Sequence, residues 1–231
     1  MLLQIEQMPI ANPSEAVMVQ EKTLSIWSLI SSGGIGGNII MLSLFLLSVL
    51  AIYLIVERYL LIKKASRLDE NFMNRIKECV LEGRLDSAKS LCQGNESPVA
   101  RMIEKGINRI GKPLKDISTA IENTGKLEIY KLEQNLATLA TISGAAPMIG
   151  FLGTVIGMIL AFHEMANAGG QIDVEMLAQG IYTAMTTTVA GLIVGIVAYV
   201  GYNFLVNKVD KVVYSMEANA TEFLDLLNQP H

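Results

Sequence analysis

The sequence predicts an all-α membrane protein with three transmembrane helices, two of which are long and extend into the cytoplasm. Three stretches contain no Asp, Glu, Lys, Arg or His: Ile39–Val56, Leu136–Phe162 and Leu177–Val206. They hold 18, 27 and 30 residues, and a helix needs roughly 20 apolar residues to cross the hydrocarbon. A buried helix of a soluble protein rarely stays free of charge over such lengths. The second and third stretches are therefore long enough to project beyond the bilayer.

The basic residues predict how the chain is oriented. Of the 18 Lys and Arg residues, 15 lie in Glu57–Asn135, and Lys208 and Lys211 follow the third stretch. The connection between the second and third stretches contains acidic residues and neither Lys nor Arg. Positive charge stays on the cytoplasmic side of a membrane, and the residues nearest to the spans carry most weight. We therefore expect an external N-terminus and a cytoplasmic C-terminus.

These patterns divide the chain into seven segments. Trp27, in the first of them, indicates a short interfacial helix, because tryptophan prefers the headgroup level. In the connection before the third span, Gly169-Gly170 predicts a turn, and Asp173 can cap the helix that follows. We assign an external N-terminal arm to 1–38, the first transmembrane helix to 39–56, a cytoplasmic helical segment to 57–135, the second transmembrane helix to 136–162, a short external loop to 163–176, the third transmembrane helix to 177–206 and a cytoplasmic C-terminal helix to 207–231.

Both long helices are expected to continue into the cytoplasm. The segment from Leu114 to the start of the second span has no Gly–Pro interruption, which predicts that the second membrane helix begins well inside the cytoplasm. After Val206, apolar residues recur at steps of three or four, which predicts an amphipathic extension of the third helix. The recurring residues are Val209, Val213, Met216, Ala220, Phe223 and Leu227.

Small residues form a face on each of the two long membrane helices. Such faces let membrane helices approach closely, because lipid offers no hydrophobic drive for association. We interpret these faces as surfaces for ordinary packing between helices, and they can also take part in assembly of an oligomer. Pro147 removes one backbone hydrogen bond, and the Ser143 hydroxyl could satisfy the freed carbonyl. The candidate packing residues are Pro147, Gly150, Gly153, Gly157, Gly180, Gly191 and Gly195.

Threonines provide the candidate polar passage through the membrane. Thr154 lies in the second span, and Thr183, Thr187 and Thr188 lie close together in the third. Hydroxyls at this depth can line a wet passage or a partner helix, and the alternative is that they bond back to their own helix. Membrane proton relays normally use Asp, Glu or His, and none of these occurs within the three stretches. If the chain works with protons, the titrating carboxylate must therefore come from a partner.

Two motifs in these helices resemble a known family. They are Ala146-Pro147-Met148-Ile149-Gly150-Phe151-Leu152-Gly153-Thr154-Val155-Ile156-Gly157-Met158 and Ala178-Gln179-Gly180-Ile181-Tyr182-Thr183-Ala184-Met185-Thr186-Thr187-Thr188-Val189-Ala190-Gly191-Leu192. In order, spacing and membrane position they are similar to the proton-channel family of ExbB, TolQ and MotA. The three-span layout and the long external arm make the chain most like ExbB.

The resemblance implies a bacterial inner-membrane protein that forms a ring, of five copies by the family pattern. The ring would surround the single-span helices of an ExbD-like partner that carries a membrane aspartate, and a TonB-like protein would join the complex. By the same pattern Thr154 and Thr188 match threonines that face the central passage. The family often has a glutamate where this chain has Thr183, and this departure speaks against a proton-relay role for the third span.

Three functions are compatible with these motifs and this layout of spans. An ExbB-like scaffold or stator subunit of a proton-motive-force-driven complex, which powers outer-membrane transport, fits the motifs. A TolQ-like role in envelope maintenance and a passive scaffold without ion conduction are the alternatives. We expect no enzyme, cofactor or metal site, because no nucleophile–base pair or ligand cluster occurs. Cys79 and Cys92 lie in a reducing compartment without a nearby His, and we interpret both as packing residues.

Overall fold

The computed structural model describes residues 34–67, 69, 71–167 and 174–228. The predicted external arm with Trp27, the Gly169-Gly170 turn and the Asp173 cap lie largely or wholly outside these residues. Within them the chain forms helices only. We number these helices α1 (Gly34–Ala65), α2 (Phe72–Leu81), α3 (Leu85–Gln93), α4 (Pro98–Ile107), α5 (Leu114–Glu133), α6 (Leu136–Asn167) and α7 (Val174–Asn228).

Three of the helical regions are long and apolar enough to cross a membrane. They are Gly36–Ala65, Leu114–Asn167 and Leu177–Asn228, and they contain the three stretches that the sequence singled out. The prediction of an all-α protein with three membrane-spanning helices is therefore confirmed. Helix α1 begins at Gly34, ahead of the expected first residue of the span, because the glycine-rich residues before Ile39 continue the helix.

The third span continues far beyond the membrane as a single helix. Helix α7 runs without a break to Asn228, as the periodicity after Val206 predicts. Its apolar stripe faces the other helices: Val209, Met216 and Phe223 are buried. Phe223 packs where α4 and α5 meet, and a Cβ added to Gly106 of α4 would lie 2.7 Å from Phe223 Cε1. The last part of α7 thus anchors the short helices.

The second span differs from the prediction at one point. The helix from Leu114 is interrupted between α5 and α6, because Asn135 adopts φ 65° after an extended Gln134 with ψ 137°. Asparagine is one of the few residues that visits this left-handed region readily, so the chain turns there without a glycine. The Lys131 carbonyl, near the end of α5, accepts a hydrogen bond from Arg58 Nη1 of α1 at 3.2 Å. This bond satisfies a carbonyl in the last turn of α5.

The helices pack in two connected groups. In the membrane region α6 and α7 form the most extensive contact, and α1 packs against both. Outside it, α4 packs on α5, and both contact the distal part of α7. Cys79 and Cys92 are buried among the short helices. Burial, aided by the negative charge of Glu104, raises the pKa of the Cys92 thiol to about 12. That thiol is therefore neutral, as suits a packing residue.

Candidate functional site

The candidate site lies where α6 and α7 touch through their backbones. A Cβ added to Gly150 would lie 2.8 Å from the Thr187 carbonyl oxygen. One added to Gly191 would lie 2.6 Å from the Ala146 carbonyl oxygen and 2.9 Å from Gly150 Cα. Real Cβ atoms essentially never come this close to another heavy atom, so only glycine permits this approach. The two helices therefore approach each other directly through their backbones.

The remaining small residues extend this contact along both helices. A Cβ added to Gly153 would lie 2.7 Å from Thr187 Cβ, and one added to Gly157 would lie 2.8 Å from Ala184 Cβ. A Cβ added to Gly180 would lie 2.6 Å from Ala161 Cβ, and one added to Gly195 would lie 2.8 Å from Pro147 Cδ. All seven candidate packing residues thus lie at one contact within a single chain. Both small faces therefore serve helix packing within the protomer, because each face finds its complement in the same chain.

Pro147 is accommodated differently from the expectation. Helix α6 continues through Pro147 from Leu136 to Asn167. The Ser143 hydroxyl donates to the Ala140 carbonyl at 2.7 Å, so it bonds one turn back and does not satisfy the carbonyl that proline frees. That carbonyl belongs to Ser143 itself, and a Cβ on Gly195 of α7 would come within 3.1 Å of it. The proline ring and this carbonyl therefore both face the glycine of the neighbouring helix.

Three threonine hydroxyls converge on one backbone carbonyl, that of Gly150. Thr188 Oγ1 donates to it at 3.0 Å, and the Thr187 and Thr154 hydroxyl oxygens lie 3.3 and 3.5 Å from it. The Thr154 and Thr188 hydroxyls also hydrogen-bond to each other across the two helices. Because a hydroxyl both donates and accepts, this group can present either polarity to a neighbour. We call Thr154 and Thr188 the threonine pair.

Burial separates the threonines into different roles. Thr187 is only 2% exposed, and its hydroxyl hydrogen is donated chiefly to the Ala184 carbonyl, at 2.7 Å. The structure therefore places Thr187 inside the protomer, at the contact between α6 and α7. The threonine pair is half-buried, so a partner or water can reach it. Thr183 is also half-buried and lies toward α1, where a Cβ on Gly37 would be 3.6 Å from its Cγ2.

Sequence reasoning missed the acceptor at the centre of this site. The Gly150 carbonyl lies 37 and 38 residues away from the two α7 hydroxyls that bond to it, and no local pattern signals that alignment. It also missed the burial of Arg58 and Glu128, which are 4% and 5% exposed. Glu128 recurs in step with the buried apolar residues of α5, and that spacing was the one available signal.

Comparisons with known proteins agree with the two motifs. The sequence profile of the MotA/TolQ/ExbB proton channel family matches residues 94–218, a segment that includes both motifs. An ExbB homologue named as a biopolymer transport protein in Methanothermobacter thermautotrophicus is 30% identical over 135 residues, which cover 58% of this chain and 47% of that protein. The aligned segment thus spans about half of that relative.

Two further relatives match different extents of the chain. The biopolymer transport protein ExbB of Aquifex aeolicus is 37% identical over 103 residues, which cover 44% of this chain and 69% of that protein. The Tol-Pal system protein TolQ of Pseudomonas aeruginosa is 26% identical over 216 residues, which cover 89% and 93%. With three candidate spans, the chain is a multi-pass inner-membrane protein. The resemblance inferred from its motifs is confirmed, and the chain belongs to the MotA/TolQ/ExbB proton channel family.

Proposed function

We propose that this chain is the scaffold or stator subunit of a proton-motive-force-driven complex that powers outer-membrane transport, as an ExbB-like protein would. The observation that carries the proposal is the threonine pair above the Gly150 carbonyl, within spans that hold no Asp, Glu, His, Lys or Arg. The site can hold water or meet a carboxylate, but it has no group of its own to carry a proton. The proton carrier is then a membrane aspartate on an ExbD-like single-span partner.

In this proposal the pair acts on the partner's carboxylate as that group changes charge. A deprotonated carboxylate accepts hydrogen bonds from the hydroxyls, and a protonated one donates to them. The Gly150 carbonyl orients Thr188, because a bond of 3.0 Å occupies its hydroxyl hydrogen until a stronger acceptor arrives. One proton crossing 100 mV releases about 2.3 kcal/mol. Mechanical work on a TonB-like protein therefore requires several protons or an added pH gradient.

The proposed arrangement is a homo-oligomeric ring, of five copies by the family pattern, with the partner helices in its centre. The N-terminus is periplasmic and the C-terminus cytoplasmic, which the concentration of Lys and Arg in 57–135 and after Val206 supports. Since the small faces of α6 and α7 are used within the protomer, copies would meet through other surfaces. The exposed apolar residues of α1, α6 and α7 are available for lipid, for neighbouring copies and for the partner.

A TolQ-like role is the second candidate. One observation favours it: the Pseudomonas TolQ aligns over 89% of the chain, a larger share than either ExbB relative reported above. The two roles share the proposed proton step and differ in the machine that is driven. Expression of the chain in a strain without ExbB and in one without TolQ separates them. Rescue of energised uptake supports the first role, and rescue of envelope integrity alone supports the second.

The proton step is tested by proton flux in liposomes that contain the chain with a single-span partner. Thr154→Val and Thr188→Val keep side-chain size but remove a hydroxyl, and we expect both to lower flux, with the double variant lowest. Thr141→Val is the matched control, because Thr141 bonds to its own helix at the Ala137 carbonyl. Hydrogen bonds between membrane helices average only about 0.6 kcal/mol, so complexes should still form.

Three outcomes would count against the proposal. Full flux in the double valine variant would reduce the threonine pair to packing. Equal loss in Thr141→Val would show that the effect is not specific to the pair. High flux through the chain without any partner would place the proton carrier in this chain. Should a valine variant fail to assemble, Thr154→Ser and Thr188→Ser retain the hydroxyl, and full flux in both is then expected.

A further inference from the structure

A second polar feature lies outside the site just described, at the end of the membrane region that carries the short helices. A cavity of about 460 Å³ opens between the last turns of α1, the start of α4 and the end of α5. Apolar residues form part of its lining: Leu61 and Ala65 of α1, Pro98 of α4 and Leu132 of α5. The cavity is therefore built by three separate helices and has both apolar and charged walls.

Three basic side chains enter this cavity: Lys64, Arg101 and Lys131. Glu128 holds two of them in place, since its carboxylate bonds to Lys131 Nζ at 2.7 Å and lies 3.3 Å from Arg101 Nε. The Glu128 side chain is only 6% exposed, whereas those of Arg101 and Lys131 are 47% and 60% exposed. The buried carboxylate thus fixes two cations. Arg101 Nη2 donates to the Glu96 carbonyl at 2.8 Å, and the exposed parts of the Arg101 and Lys131 side chains leave donors for an anion.

The third cation is held by a weaker restraint. Lys64 pairs with Glu96, and both side chains are 69% exposed. A hydrogen bond from Lys64 lowers the pKa of the Glu96 carboxyl, so Glu96 is charged at neutral pH. Because the pair is open to solvent, either side chain can turn away at little cost. With three cations against two carboxylates, the cavity has a net charge of plus one. The Glu96 carboxylate competes with a bound anion for Lys64, and it can turn away from that lysine.

Along α1 the cavity begins in the headgroup layer of a bilayer and extends a few ångström beyond it. The charge-free stretch of α1 ends at Val56. At about 1.5 Å per residue, Leu61 lies roughly 7.5 Å beyond it and Lys64 roughly 12 Å. The polar layer on each side of the hydrocarbon is about 5–8 Å thick, and lysine side chains extend back toward it. Leu60 and Tyr53, on the membrane side, are exposed apolar residues along which an acyl chain can lie.

We propose that this cavity binds the phosphate of an anionic phospholipid, with Lys64, Arg101 and Lys131 as its donors. A lipid fits better than a free anion, because the apolar walls and the exposed face of α1 continue the site into the hydrocarbon. An anionic headgroup fits better than a zwitterionic one, because the ammonium group of the latter adds a positive charge to a cavity that is already positive. The site would tie the cytoplasmic helices to the membrane surface.

The test measures binding of short-chain phosphatidylglycerol to the delipidated full chain in detergent by native mass spectrometry. Phosphatidylethanolamine and inorganic phosphate are run in parallel. We expect Lys64→Gln to weaken phosphatidylglycerol binding about fivefold, which corresponds to roughly 1 kcal/mol per basic residue near an anionic surface. Glu96→Gln frees Lys64 and should strengthen binding. Lys112→Gln is the control, since it removes the same charge from an exposed position in the turn before α5.

The comparison between variants and between ligands decides whether the cavity binds an anionic lipid. Equal weakening by Lys64→Gln and Lys112→Gln would overturn the proposal, as would phosphatidylethanolamine or inorganic phosphate binding as tightly as phosphatidylglycerol. Arg101→Gln should also weaken binding. If that variant does not fold, Lys64→Gln decides alone, because the exposed Lys64 pair leaves no buried charge behind. Proton flux is not a readout here, so this proposal and the proposed function can fail separately.

Discussion

Gly191→Ala tests the geometry on which the candidate site depends. The new Cβ would lie 2.6 Å from the Ala146 carbonyl oxygen and 2.9 Å from Gly150 Cα. Both atoms are backbone, so neither can rotate away, and α6 and α7 must separate by about 0.8 Å to reach ordinary contact. That movement lengthens the bonds from Thr187 and Thr188 to the Gly150 carbonyl, now 3.3 and 3.0 Å, beyond hydrogen-bonding range.

The expected cost follows from these two effects. Overpacking a well-packed contact costs about 1–3 kcal/mol, and two hydrogen bonds between membrane helices add about 0.6 kcal/mol each. We therefore expect Gly191→Ala to lower the free energy of unfolding by about 2–4 kcal/mol. Gly144→Ala is the matched control on α6, because nothing lies within 4 Å of its added Cβ. It should be neutral or slightly stabilising, since alanine favours a helix.

The assay is thermal or steric-trap unfolding of the purified chain in bicelles, for the parent and both variants side by side. A Gly191→Ala variant as stable as Gly144→Ala would refute the close backbone contact. A variant that is destabilised while proton flux in the reconstituted complex is unchanged would refute the link between this contact and the threonine pair. Loss of both stability and flux, with the control unaffected, is the expected result.

Three further predictions concern other parts of the molecule. Gly153→Leu should prevent folding of the protomer, whereas Leu152→Ala, at a half-exposed position, should be tolerated. A Gly153→Leu chain that folds but does not assemble, as seen by size-exclusion chromatography, would contradict this prediction. Gly106→Ala places a Cβ 2.7 Å from Phe223 and should lower stability by about 1–3 kcal/mol, which thermal unfolding measures. Cys92, with its pKa raised to about 12, should resist alkylation at pH 8 until the chain is denatured, because the thiolate is the reactive form. Rapid labelling of Cys92 in the folded protein would contradict this prediction, since it would show that the thiol is accessible.

The contact between α6 and α7 shows how far sequence reasoning reached toward the site. The small residues were identifiable because glycine and alanine recur at helical spacing in charge-free stretches. Whether they join helices of one chain or of two chains depends on which complementary face lies nearby. In the structure Gly150 finds Gly191, and Gly180 finds Ala161, within the same chain. Spacing alone does not contain that information, since any small face can pair with any other.

The threonines separate for a similar reason. Thr187 and Thr188 are neighbours in the sequence, but successive residues of a helix point about 100° apart. Thr187 therefore faces the contact between α6 and α7, whereas Thr188 lies at the edge of that contact. Only the position of α6 decides which of them is buried. The Gly150 carbonyl is likewise an acceptor that every residue possesses, and it becomes special only because three hydroxyls from two helices reach it.

The sequence by itself determined the class of protein, the three spans and the family. The length of a stretch without charged residues and the order of two motifs can both be read directly from the linear sequence. The tertiary structure decided where α5 ends and α6 begins, since the turn at Asn135 is a backbone choice that many sequences can make. It also decided that Arg58 and Glu128 are buried charges near the membrane border. Both features arise from helices distant in sequence, whose relative placement depends on side-chain packing that local patterns do not encode.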